Sequence, residues 1–106
     1  MSATDRDRLM LHDLGVRLRA LRLASGYPSA AAYARDLGLP ASTVRRAEAG
    51  KLIRTDRLVF ALGLALIDRG VSLDWLIRGK GRVPRALRPR LVKGGAPRMP
   101  ERRTKP

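Results

Sequence analysis

The residues best equipped for chemistry sit together in the run ASTVRRAEAG, from Ala41 to Gly50: the guanidiniums of Arg45 and Arg46, and the hydroxyls of Ser42 and Thr43, set among alanines. An arginine fork bonds a guanine edge bidentately, and a serine hydroxyl donates or accepts as its partner requires. At about 3.6 residues per turn, a helix here puts Val44 and Ala47 on one face. Ala41, Ser42, Arg45, Arg46 and Ala49 then fall on the other. That outer face carries cations and a hydroxyl with almost no bulk, which suits a groove lined with hydrogen-bonding base edges.

Two short helices around a glycine corner position those residues. Ser29 follows Pro28 and offers a hydroxyl to free backbone amides, and Ala30, Ala31, Ala32 and Ala34 then favour helix and permit close helix approach. Gly38 ends this first helix in LGLP, where a residue tolerant of positive φ is needed and Pro40 prevents simple continuation. The second helix is expected over Ala41–Ala49, with Gly50 as its stop.

With these residues in view, the stretch resembles the helix-turn-helix of the lambda-repressor-like family, the Xre/Cro type. Ala34 matches the small residue where the two helices cross, Gly38 the turn glycine, Val44 and Ala47 the buried recognition-helix positions, and Glu48-Ala49-Gly50 the family's Glu-x-Gly ending. GVSLDWLIRG, residues 70–79, resembles the family's closing helix and LRALRLASG, residues 18–26, its opening one, so the resemblance covers about residues 13–79. It implies an all-α, five-helix DNA-binding domain over residues 1–79.

Departures shape what is carried over. Ala30 stands where many relatives have a phosphate-binding glutamine, and Ala41 replaces a commonly polar base-reading position. Base reading is therefore assigned to Ser42, Thr43, Arg45 and Arg46. The loop after the recognition helix lies along the DNA backbone in relatives, which makes Lys51, Arg54, Thr55 and Arg57, together with Ser29, the phosphate-binding candidates. The resemblance also implies a pairing of Arg22 with Glu48, an arginine fork on a carboxylate that fixes the recognition helix against helix one. The alternative is that the two are ordinary surface charges.

Composition points the same way. The chain has 106 residues, with 23 Lys or Arg against 9 acids, for a net charge of +14. A polyanionic partner follows, nucleic acid ahead of a membrane surface. The residues after Gly79 hold ten of the cations and one acid, with five of the seven prolines, so 80–106 is expected to be a disordered basic tail that adds affinity without sequence preference. There is no cysteine and one histidine, His12, so neither a thiolate nor a histidine-rich metal site can be built. No phosphate-cradling loop and no nucleophile–base constellation is present, and the expectation is no enzyme, no catalytic residue, no metal and no cofactor.

The remaining elements follow from periodicity. Thr4-Asp5-Arg6-Asp7 resembles a helix start, and Leu11, Leu14, Leu18 and Leu21 form an apolar stripe. The helix expected over Asp56–Arg69 is apolar nearly all round, as in a central helix or one covered by a second subunit. Its longest apolar run, Leu58–Ile67, is about half of what a bilayer span requires. Ser72 caps the last helix, in which Trp75 is expected to be a core anchor.

The expectation is a cytoplasmic, nucleoid-associated, sequence-specific regulator: a dimeric repressor that binds double-stranded DNA on a palindromic operator. Two alternatives stand beside it. One is an antitoxin, or another regulator with a toxin or co-regulator as protein partner, and the other a nonspecific nucleoid-type binder.

Overall fold

The computed structural model describes residues 3–52 and 57–88, and every described element is helical. In chain order these are α1 (Ala3–Ala24), α2 (Ala30–Leu37), α3 (Ala41–Glu48), α4 (Arg57–Asp68) and α5 (Leu73–Arg78). The five expected helices are all present, with bounds that differ by a residue or two at their ends. α1 starts at Ala3, so residues 3–12 belong to the first helix.

Capping explains where the short helices begin and end. The Ser29 hydroxyl accepts from the Ala32 amide at 3.1 Å, and that of Ser72 from the Trp75 amide at 3.2 Å, each satisfying an orphan donor of the first turn. Gly38 closes α2 at φ +75°, and the next amide, Leu39, donates to the Ala34 carbonyl at 2.9 Å. A side chain at Gly38 would be strained by that left-handed backbone alone. α3 begins at Pro40 without a side-chain cap.

The core is one cluster shared by all five helices: Leu14, Leu18 and Leu21 from α1, Tyr33, Ala34 and Leu37 from α2, Val44 and Ala47 from α3, Leu62 and Leu66 from α4, and Trp75 and Leu76 from α5. Of the α1 stripe, Leu14, Leu18 and Leu21 are thus buried as their spacing predicts while Leu11 is half-buried, and Trp75 is buried. α3 lies against both α1 and α2. Its approach to α1 depends on Gly15: a Cβ there would sit 2.5 Å from the Glu48 carbonyl oxygen and 2.7 Å from that of Ala47. Main-chain atoms cannot swing aside, so the helices can meet at this distance only with glycine. Arg17 holds the other end of the bundle, donating to the Leu76 carbonyl of α5 at 2.9 Å.

One sequence expectation requires correction here, and of the two readings of the apolar helix one is excluded. The tail was expected to leave the domain after Gly79, yet Val83, Ala86 and Leu87 pack against the core and Pro84 is buried. These apolar residues lie in a turn that lets them fold back, which a Pro- and Arg-rich composition conceals. Residues 89–106 lie outside the described residues. The apolar Leu58–Ile67 helix is not a central one: Leu62 and Leu66 face inward, while Phe60, Leu64 and Ile67 stay exposed.

Candidate nucleic-acid interface

The corner Gly38–Pro40 joins α2 to α3, and the buried side of α3 decides which of its side chains remain outside. Val44 and Ala47 are fully enclosed. Ser42 and Arg45 are exposed, Arg46 is half-buried, and Ala41 and Ala49 flank them without bulk. The outer surface of α3 therefore bears the Ser42 hydroxyl and the Arg45 guanidinium, with Arg46 half-exposed, whereas Ala41, expected on this face, packs against the core.

Thr43 does not belong to that surface. Its side chain is fully buried and its hydroxyl oxygen has no hydrogen-bond partner. It lies four residues before Ala47, so the two share a face, and this spacing was the available signal against counting Thr43 among base-reading residues. Its role is in the packing of α3.

The attachment of α3 to α1 is electrostatic as well as apolar. Arg22 is 6% exposed, and its guanidinium grips Glu48 with two bonds, Nε to Oε2 at 2.7 Å and Nη2 to Oε1 at 3.1 Å. The remaining nitrogen, Nη1, donates to the Tyr27 carbonyl at 2.9 Å. One arginine thereby ties the C-terminal end of α3 and the loop before α2 to α1, and the planar fork permits few other arrangements. These two residues are not ordinary surface charges.

Of the candidate phosphate-binding residues, Ser29, Lys51 and Arg57 are exposed, although the Ser29 hydroxyl is already engaged with the Ala32 amide. Arg54 and Thr55 lie outside the described residues. Ala34 is buried in the core cluster. No group of three or more His, Asp or Glu side chains is placed to hold a metal ion, and no helix is long and apolar enough to cross a membrane, among the described residues.

No family model, no curated protein and no solved structure matches this chain. Its function is argued from its own residues.

Proposed function

We propose that the chain is a sequence-specific DNA-binding regulator, a repressor of lambda-repressor-like type acting as a dimer, with α3 as its recognition helix. One observation carries this reading: α3 is anchored on its inner side by Val44, Ala47 and the Arg22–Glu48 fork, while Ser42 and Arg45 are exposed on its outer side and Arg46 is half-exposed beside them. A helix held this rigidly and presenting forked donors fits the major groove, where each good bidentate pair discriminates against the wrong base by about 1 to 3 kcal/mol. Lys51 and Arg57 fix the register on the backbone without reading sequence.

Pairing of two copies follows from charge and exposed apolar surface. At +14, each chain repels another of its kind, so self-association must use a face without charge. α4 offers such a face: Phe60, 72% exposed, with Leu64 and Ile67 beside a groove of about 240 Å³ that Leu73 and Ile77 also line. An apolar strip is self-complementary across a two-fold axis, and each fully covered side chain contributes about 1.5 to 3 kcal/mol. The dimer then offers two recognition helices to half-sites about 34 to 36 Å apart, and occupancy of such an operator blocks polymerase.

The test is selection of bound fragments from genomic DNA at about 0.15 M salt, where nonspecific electrostatic binding is weakened. The proposal expects a few fragments that share an inverted repeat and are not recovered with a Ser42→Ala/Arg46→Ala chain. Indiscriminate recovery would favour a nonspecific binder. Phe60→Glu should convert dimer to monomer in sedimentation, and an unchanged mass would remove α4 from the interface.

A further inference from the structure

A second concave site lies away from the outer surface of α3, bounded by α2, the turn between α4 and α5, and the folded-back segment 82–88. It is a cleft of about 570 Å³, within the roughly 300 to 1,000 Å³ typical of small-molecule sites. Tyr27, Asp36 and Arg69 form one wall. Arg69 donates to the Asp36 carboxylate at 3.1 Å and to the Asp36 main-chain carbonyl at 2.6 Å. The Arg69 guanidinium, followed by a hydrogen bond from Tyr27, holds the Asp36 carboxyl below its ordinary range. This wall is thus internally paired and fixed in place.

The other cations of the cleft are not paired. Arg82, Arg85 and Arg88 also line it, and among the described residues none of the three has a carboxylate partner. Four guanidiniums against one carboxylate leave a surplus of three positive charges around one opening. Leu21, Val71, Pro84 and Ala86 add apolar surface to the same lining. A phosphate backbone alone would use the cations and leave that apolar surface idle. A compact molecule with a multiply charged oxyanion at one end and a flat apolar body at the other uses both. The Tyr27 ring, packed at a tilt against Tyr33 with centroids 5.0 Å apart, adds an aromatic surface to the cleft.

We infer that this cleft is a binding site for a small organic polyphosphate of the nucleoside diphosphate class, with Arg82, Arg85 and Arg88 on the phosphates and the apolar lining against the base. The inference stands on the cleft alone and does not depend on what α3 reads. Because segment 82–88 supplies both the guanidiniums and part of the apolar lining, occupancy of the cleft would hold that segment to α2 and the α4–α5 turn.

The probe is adenosine diphosphate, titrated into the full chain by calorimetry and by amide chemical shifts, with inorganic pyrophosphate and adenosine as its two halves. The diphosphate should bind more tightly than either half, with shifts concentrated at Tyr27, Gly70 and Ala86. Arg82→Gln/Arg85→Gln should weaken it by about tenfold or more, as expected for the loss of two charge-assisted contacts. Arg6→Gln/Arg19→Gln, which removes the same charge from the exposed side of α1, should change it less than about twofold. Equal weakening by both variants would reduce the effect to net charge and overturn the inference, as would pyrophosphate binding as tightly as the diphosphate. If DNA shifts the cleft residues and the diphosphate does not, the cleft belongs to nucleic acid and the inference also fails.

Discussion

Replacing Glu48 tests how α3 is held. The Arg22 guanidinium is nearly enclosed, and two of its three hydrogen bonds end on the Glu48 carboxylate. Glu48→Ala removes both and leaves a buried cation whose only remaining acceptor among the described residues is the Tyr27 carbonyl. Breaking a buried pair from one side typically costs about 3 to 5 kcal/mol. Glu48→Gln is gentler: its amide oxygen still accepts from the fork, but the compensating charge and the second acceptor are lost, which places the cost at about 1.5 to 3 kcal/mol. In a domain of this size each kcal/mol corresponds to about 4 to 8 °C in Tm. Thermal and urea unfolding of the full chain should therefore show Glu48→Gln melting at least 6 °C lower, by that same conversion roughly, with Glu48→Ala lower still. Arg22→Met/Glu48→Leu, which removes both charges, should be more stable than Glu48→Ala. A Glu48→Gln chain that melts with the parent would refute the reasoning, because an ion pair that can be broken at no cost is not holding α3.

Three further outcomes are expected. Thr43→Val keeps the shape and removes a buried hydroxyl that has no partner, so stability in urea should hold or rise by about 1 kcal/mol while DNA affinity stays unchanged; lost affinity would return Thr43 to the base-reading set. Gly15→Ala drives a methyl into the Glu48 and Ala47 carbonyls and should destabilise by about 1 to 3 kcal/mol in the same assay, whereas helix propensity alone would predict a gain. Burial pushes the Tyr33 phenol up to about 12. Above the ordinary tyrosine pKa the unfolded chain ionises and the folded one does not, so stability should fall by about 2 to 3 kcal/mol as pH rises from roughly 10 to 12. Tyr33→Phe should remove that part of the loss, and an unaltered alkaline profile would place the hydroxyl in solvent.

Much of the local structure was legible because it is specified by neighbours in sequence. The caps Ser29 and Ser72, the corner at Gly38 and the leucine stripe of α1 each need only a few adjacent residues to be recognised. Features created by distant approach, the Arg22–Glu48 pair apart, were not legible. Gly15 reads in sequence as a weak spot in a helix, and only the backbone of α3 against it shows why a side chain is excluded. Arg17 reads as a solvated charge on α1, yet it caps the carbonyls at the end of α5. Thr43 counts among the base-reading candidates in sequence, although its spacing to Ala47 marks it as inner, where it is buried. The return of Val83–Leu87 to the core was hidden by surrounding proline and arginine, since composition does not reveal which apolar residues find a partner.

The most direct measurement of the central claim is equilibrium binding to a fragment recovered by genomic selection and to a scrambled duplex of equal length and composition, for the parent chain and Arg46→Ala, at one fixed salt concentration. If α3 reads sequence, the parent should prefer the selected fragment by about 10³-fold or more. Arg46→Ala should cut that preference by about 5- to 150-fold, the equivalent of about 1 to 3 kcal/mol, with little change on the scrambled duplex. A parent chain that binds both duplexes equally would contradict the assignment of α3 as a recognition helix. An Arg46→Ala chain that loses equal affinity for both would place Arg46 on phosphate.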